Sequence, residues 1–209
     1  MKSKPGPLNA DCCGVYAATL ERTLILFRLF DDMIWKTGGK QGEKSGVEEL
    51  GDRQSRRGKE YFARKLRDVT GIPLYYLDML WHRPDRSNIS REEFDRQLLE
   101  IVQKDRWIID GNYQRTLRHR LEACDTVFLL DIPPEACLAG AKSRVGTARE
   151  DMPWVETGLD EEFRQWIVDF PKTQLPQIYQ LTEEYREKRN VIIFRSREEA
   201  DDYLQTLRG

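Results

Sequence analysis

Short apolar runs alternate with amphipathic stretches along most of this chain. Trp107-Ile-Ile-Asp110 is three apolar residues running into an acid, with Gly111 following at once. Such a run, closed by Gly and Asn, predicts a short buried strand. Leu74-Tyr-Tyr-Leu-Asp78 predicts a second strand ending on an acid, Thr126 to Ile132 a third and Val191 to Phe194 a fourth. Helical spacing fills the intervals. Phe62, Leu66 and Val69 share one face after Lys59, and Gly71-Ile-Pro73 stops that helix. Ser90-Arg-Glu-Glu93 is a capping box in front of Phe94, Leu98, Ile101 and Val102. Tyr113 to Ala123 reads as a basic helix carrying Arg115, Arg118 and Arg120. Pro133 and Pro134 open a helix around Cys137, Leu138 and Ala141. Asp160 caps one with Phe163, Trp166, Ile167 and Phe170. Another runs from about Thr173 to Glu187, and Ser196-Arg-Glu-Glu199 starts the last. Strands alternating with helices predict an α/β fold with a parallel sheet covered on both faces.

Residues 1 to 46 break this rhythm. They carry Pro5, Pro7, adjacent cysteines and a Gly/Lys-rich stretch from Thr37 to Gly46. They read as a poorly ordered extension in which only Leu20 to Trp35 forms an element, helix or strand. Residues 47–209 are the expected α/β domain. Gly38 to Ser45 nearly matches the phosphate-loop pattern G-x-x-x-x-G-K-[ST], but Glu43 stands where the second Gly belongs.

Composition narrows the function classes. The 209 residues hold 34 Lys+Arg against 36 Asp+Glu, a net charge of −2. That balance offers no basic excess for nucleic acid, so no nucleic-acid partner is expected. No apolar run approaches the ~20 residues of a membrane span, and a cytoplasmic protein with no membrane association is the expectation. Cys12, Cys13, Cys124 and Cys137 form no C-x-x-C pair, and His82 and His119 are the only histidines. Neither zinc nor a disulfide framework is indicated.

Ligands of open α/β sheets sit at the carboxyl ends of the strands. A carboxylate there, such as Asp110, can hold Mg²⁺ through water beside a phosphate. Several motifs then recur in a familiar order: Gly58-Lys59, Leu74 to Asp78, Trp107-Ile-Ile-Asp-Gly-Asn-Tyr113, Thr126 to Asp131, Arg149-Glu-Asp-Met152 and Phe170 to Ile178. Together they resemble the adenylate-kinase-like P-loop proteins labelled topology-modulation (FlaR-type) proteins, over about residues 58 to 207. The resemblance implies a P-loop NTPase fold of the nucleoside-monophosphate-kinase kind, with ATP and Mg²⁺ as donor and a small-molecule or nucleotide acceptor. It implies that Gly58 and Lys59 hold the phosphates and Asp110 the Mg²⁺ shell. It also implies that Asp78 faces the acceptor and Arg115 reaches an acceptor phosphate. Arg144 and Arg149 would close on the transferring group from a mobile lid, since phosphoryl transfer rests on positioning and charge neutralisation.

The departure from that family falls on the phosphate loop. Arg53 stands where its first Gly belongs, and Glu60 where Ser or Thr belongs. A side chain at the first position crowds the turn. Val47-Glu-Glu-Leu-Gly51 replaces the preceding strand, so the first strand is expected to be damaged or missing. Thr23 to Phe30 is a substitute, with a link to residue 58 too long for a P-loop. A one-base shift offers a hypothesis. Codons for Gly51 to Tyr61 then permit Gly-Ile-Gly-Lys-Ala-Gly-Val-Gly-Lys-Ser-Thr, and the family-like pattern resumes at Phe62. An unambiguous in-frame read of the gene beside Phe62 would sink it as a sequencing error. Two functions compete: an ATP-dependent kinase, and a non-catalytic descendant that binds a nucleotide or a partner.

Overall fold

A computed structural model describes residues 22–27 and 59–208, with side chains described at 22–25 and 61–208. Five strands form one parallel sheet: β1 (Arg22–Phe27), β2 (Leu74–Tyr76), β3 (Trp107–Asp110), β4 (Thr126–Leu130) and β5 (Asn190–Phe194), in the order β2-β3-β1-β4-β5. Every residue of β3 and β4 is buried, as continuous apolar runs require when both faces are covered. The helices are α1 (Lys59–Thr70), α2 (Leu77–Trp81), α3 (Arg91–Val102), α4 (Gln114–Ala123), α5 (Pro134–Arg144), α6 (Glu161–Thr173), α7 (Leu175–Tyr185) and α8 (Arg197–Thr206).

Alternation along the strands divides the core. Ile25, Ile108, Phe128 and Phe194 face α1, α5 and α8, where Phe62 meets Phe128 and Phe194 edge-on at 5.1 and 5.3 Å. Leu24, Ile109, Val127 and Leu129 face α3, α4 and α7. The helix α6 joins the two, with Ile167 in the first cluster and Phe170 in the second. The three caps read from sequence form. Ser90 Oγ accepts from Glu93 N, Ser196 Oγ from Glu199 N, and Asp160 Oδ1 from Glu162 N and Phe163 N. Among the described residues, no helix is long and apolar enough to cross a membrane.

One expectation is corrected here. The sheet does not lack its middle strand, because Arg22–Phe27 fills it. That strand pairs with β3 on one side (Ile25 with Asp110) and β4 on the other (Ile25 with Phe128). Thr23, Leu24 and Ile25 are fully buried there. The physical reason is that a β-rich apolar run gains ladder bonds and burial on two faces. The entropic cost of a longer connection grows slowly, by only ~0.6 kcal/mol per doubling. Six residues of the expected extension therefore belong to the sheet. The rest of residues 1–46, the stretch 47–58 and the near-motif Gly38 to Ser45 lie outside the described residues.

Candidate functional site

All five strands run the same way, so their carboxyl ends share one edge. From β1 the chain crosses to β2 on one side, whereas β3, β4 and β5 succeed one another toward the other side. Such a reversal opens the crevice in which ligands of open α/β sheets bind. The helix α1 runs antiparallel to the strands. Arg106, just ahead of β3, donates to the Thr70 carbonyl at its far end. Phe62 near its start packs on Phe128, level with Ile25 and Asp110. Its first residue, Lys59, thus lies toward the carboxyl edge. Gly58 and the Lys59 side chain are outside the described residues.

The turn after β3 is the most closely specified part of this edge. Asp110 is buried, at 3% exposure, beside Tyr76 in the next strand. Gly111 has φ +142°, and a Cβ on it would lie 2.8 Å from Leu77 Cβ. No side chain fits without displacing α2. Tyr113 takes φ +25°, and its hydroxyl donates to Asp78 Oδ1 at 3.0 Å. The Arg120 guanidinium, completely buried, donates to the carbonyls of Gly111 (2.6 Å), Asn112 and Tyr113 (2.8 Å). It closes the orphan carbonyls of the turn with charge-assisted bonds. Asp110 at the end of β3 and Asp78 in α2, just beyond β2, thus lie at one edge. Arg120 is a residue that sequence reasoning missed, by reading it only as one arginine of a basic helix. The available signal is spacing: Leu117, Arg120, Leu121 and Cys124 follow the i, i+3, i+4, i+7 stripe of a buried face.

The candidate arginines have other partners. Arg115 makes a two-pronged bond to Asp95 on α3, at 2.8 and 2.6 Å, on a half-exposed surface. That bond holds the Asp95 carboxyl below the usual aspartate range. The pair rims a cavity of about 190 Å³ between α3 and α4, floored by Leu98, Leu99 and Val102. Arg144 ends α5. Arg149 is buried within the loop 145–159, with Nε 3.1 Å from Asp151 Oδ1 and Nη1 3.1 Å from Glu156 Oε2. Gly146 N donates to the Glu156 carbonyl at the loop's base, and Glu150 pairs with Arg67 on α1 at 2.9 Å. The expected role for Arg149 as a lid arm reaching a phosphate needs this correction: the guanidinium is held by carboxylates of its own loop. Leaving them uncompensated in a buried place is costly.

The aromatic side chains of β2 and of the segment that follows it have different surroundings. Trp81 packs on Phe94 and Tyr113 as core, and Tyr75 meets Lys104. His82 bonds Asn88 through Nδ1 and meets the Trp154 ring at 5.0 Å, joining this segment to the loop. No group of three metal-ligating side chains occurs among the described residues. Asp110 offers one buried carboxylate at the end of β3, which suits Mg²⁺ held through water rather than by a protein cage. No family model, no curated protein and no solved structure matches the chain.

Proposed function

We propose that the chain is a P-loop-kinase-like phosphotransferase that uses ATP with Mg²⁺ and a small-molecule or nucleotide acceptor. The observation that supports it most is the arrangement around the central strand. Asp110 ends the neighbouring strand, and α1 begins with Lys59 at the same edge. When bound, Mg²⁺·ATP supplies the phosphoryl group and part of its charge neutralisation. Asp110 would orient water of the Mg²⁺ shell. The α1 terminus and Lys59 would attract the polyphosphate, because a helix N-terminus carries partial positive charge. Asp78, steadied by Tyr113, would face the acceptor. Arg149 would take part only after exchanging Asp151 and Glu156 for substrate.

A second reading has its own support. Glu60 beside a polyphosphate and the occupied Arg149 both favour a non-catalytic nucleotide- or partner-binding descendant. Calorimetry of ATP with and without Mg²⁺, on the full chain and on Asp110→Asn and Lys59→Ala, separates the two. The kinase reading expects binding that Lys59→Ala abolishes, and a Mg²⁺ enhancement that Asp110→Asn removes. A folded chain that binds no ATP in either condition leaves the partner-binding reading.

A further inference from the structure

The cavity between α3 and α4 lies on the sheet face opposite α1 and opens to solvent. Its volume is about 190 Å³. A cavity of ~150 Å³ lined by aliphatic side chains holds one benzene, so this one takes a six-membered ring with a small substituent. Leu98, Leu99 and Val102 make the floor. Leu99 is 49% exposed, and among the described residues it is the one large apolar side chain of α3 or α4 so open to water. On α3, Arg96 and Glu100 flank it and bond each other. Apolar surface is thus confined to the cavity, which fits a small ligand rather than the broad face of a protein partner.

The polar groups of the wall set the ligand's charge. Asp95 and Arg115 satisfy each other through two bonds. Thr116 is engaged by the Tyr113 carbonyl, and the neighbouring Arg118 by Glu184. An anion would face Asp95, with Glu92 one turn away. A cation would face Arg115, whose carboxylate partner is already taken. A neutral ligand avoids both costs, and a guanidinium at the rim favours an aromatic ring. His119 is the remaining polar group of the wall, and its imidazole makes no hydrogen bond among the described residues. A hydroxyl answers an imidazole in either protonation state, by donating to a bare ring nitrogen or accepting from a ring N–H.

We propose that the α3–α4 cavity is a second ligand site, and that it binds a small neutral phenol. The ring lies on Leu98, Leu99 and Val102, and the hydroxyl meets His119. This site is independent of the kinase reading and stands or falls apart from it.

The test is an NMR titration of the full chain with 4-methylphenol, toluene, 4-methylbenzoate and N-acetyltyrosine amide. Saturable shifts from 4-methylphenol should gather at the α3 and α4 amides lining the cavity, with a dissociation constant on the order of 1 mM. Toluene should bind about five- to tenfold more weakly, the worth of one neutral hydrogen bond. The anionic 4-methylbenzoate should bind no better than toluene. Both His119 and Leu99 are exposed, so their replacement leaves the fold intact. His119→Ala should abolish the preference for 4-methylphenol over toluene, and Leu99→Gln should weaken both rings. Absence of saturable shifts at α3 and α4 overturns the proposal. So does equal binding of phenol and toluene, a preference that survives His119→Ala, or affinities unchanged in Leu99→Gln. Tighter binding of 4-methylbenzoate would make this an anion site and also overturn it. Tighter binding of N-acetyltyrosine amide than of 4-methylphenol would give the cavity to a partner's tyrosine and overturn the small-ligand assignment.

Discussion

Two arginines five residues apart on α4 meet opposite surroundings. Arg120 is wholly buried and serves three carbonyls of the turn after β3. Arg115 lies half in solvent and pairs with Asp95 across the α3–α4 surface. The bonding group is the same in both. What differs is the alternative on offer when the bond is absent. Water replaces Asp95 for Arg115 at little cost. Nothing replaces the guanidinium beneath Gly111, Asn112 and Tyr113, so those carbonyls would stay buried and unpaired. An arginine's weight in this fold follows its burial rather than its charge or its place in a basic run.

The sharpest way to break that comparison is Arg120→Ala. It should lower unfolding stability by roughly 3–5 kcal/mol in urea titrations. A loss under ~1 kcal/mol would mean that the turn closes without it. Gly111→Ala probes the same turn from the backbone. Strain at φ +142° and the approach to Leu77 should together cost roughly 2–4 kcal/mol, read from the same titration. Little change would show that α2 gives way freely. Arg115→Ala should cost only about 0–1 kcal/mol at neutral pH and less in high salt.

The pH dependence of that last difference has a definite sign. Arg115 depresses the folded-state pKa of Asp95, chiefly through its hydrogen bond. The stabilisation is therefore present above the ordinary aspartate value of ~3.9 and is lost as pH falls through the lower folded value. Denaturation curves of the wild type and Arg115→Ala should converge in acid. Divergence there would assign the effect to another group.

Much of the scaffold was legible along the chain. Trp107 to Asp110, Thr126 to Leu130 and Asn190 to Phe194 form strands where apolar runs predict them, whereas the strand expected over Leu74 to Asp78 stops at Tyr76, and Leu77 and Asp78 open α2 instead. Ser90, Asp160 and Ser196 cap helices where the cap pattern predicts them. The middle of the sheet was harder. Arg22–Phe27 has the composition of a strand, but only its two neighbours make it the central one. In the candidate site, Asp78 and Asp110 share an edge because both end apolar runs that became parallel strands or led out of them. Arg115 and Arg149 were read toward a common ligand, but their carboxylate partners were invisible without the fold. Asp95 lies twenty residues from Arg115 in sequence, and no local pattern connects them.

The sequence by itself determined most strands and helices after Lys59, where the caps fall, and that an acid closes β3. Those features depend on run length, periodicity and neighbours within one turn, which are local. Only the tertiary structure decided that β1 holds the centre, that Arg120 is interior while Arg115 is not, and that the Tyr76 hydroxyl is enclosed beside Asp110. Burial and partner choice arise where surfaces distant along the chain meet. The free energy of a polar group is set by what it finds there in place of water.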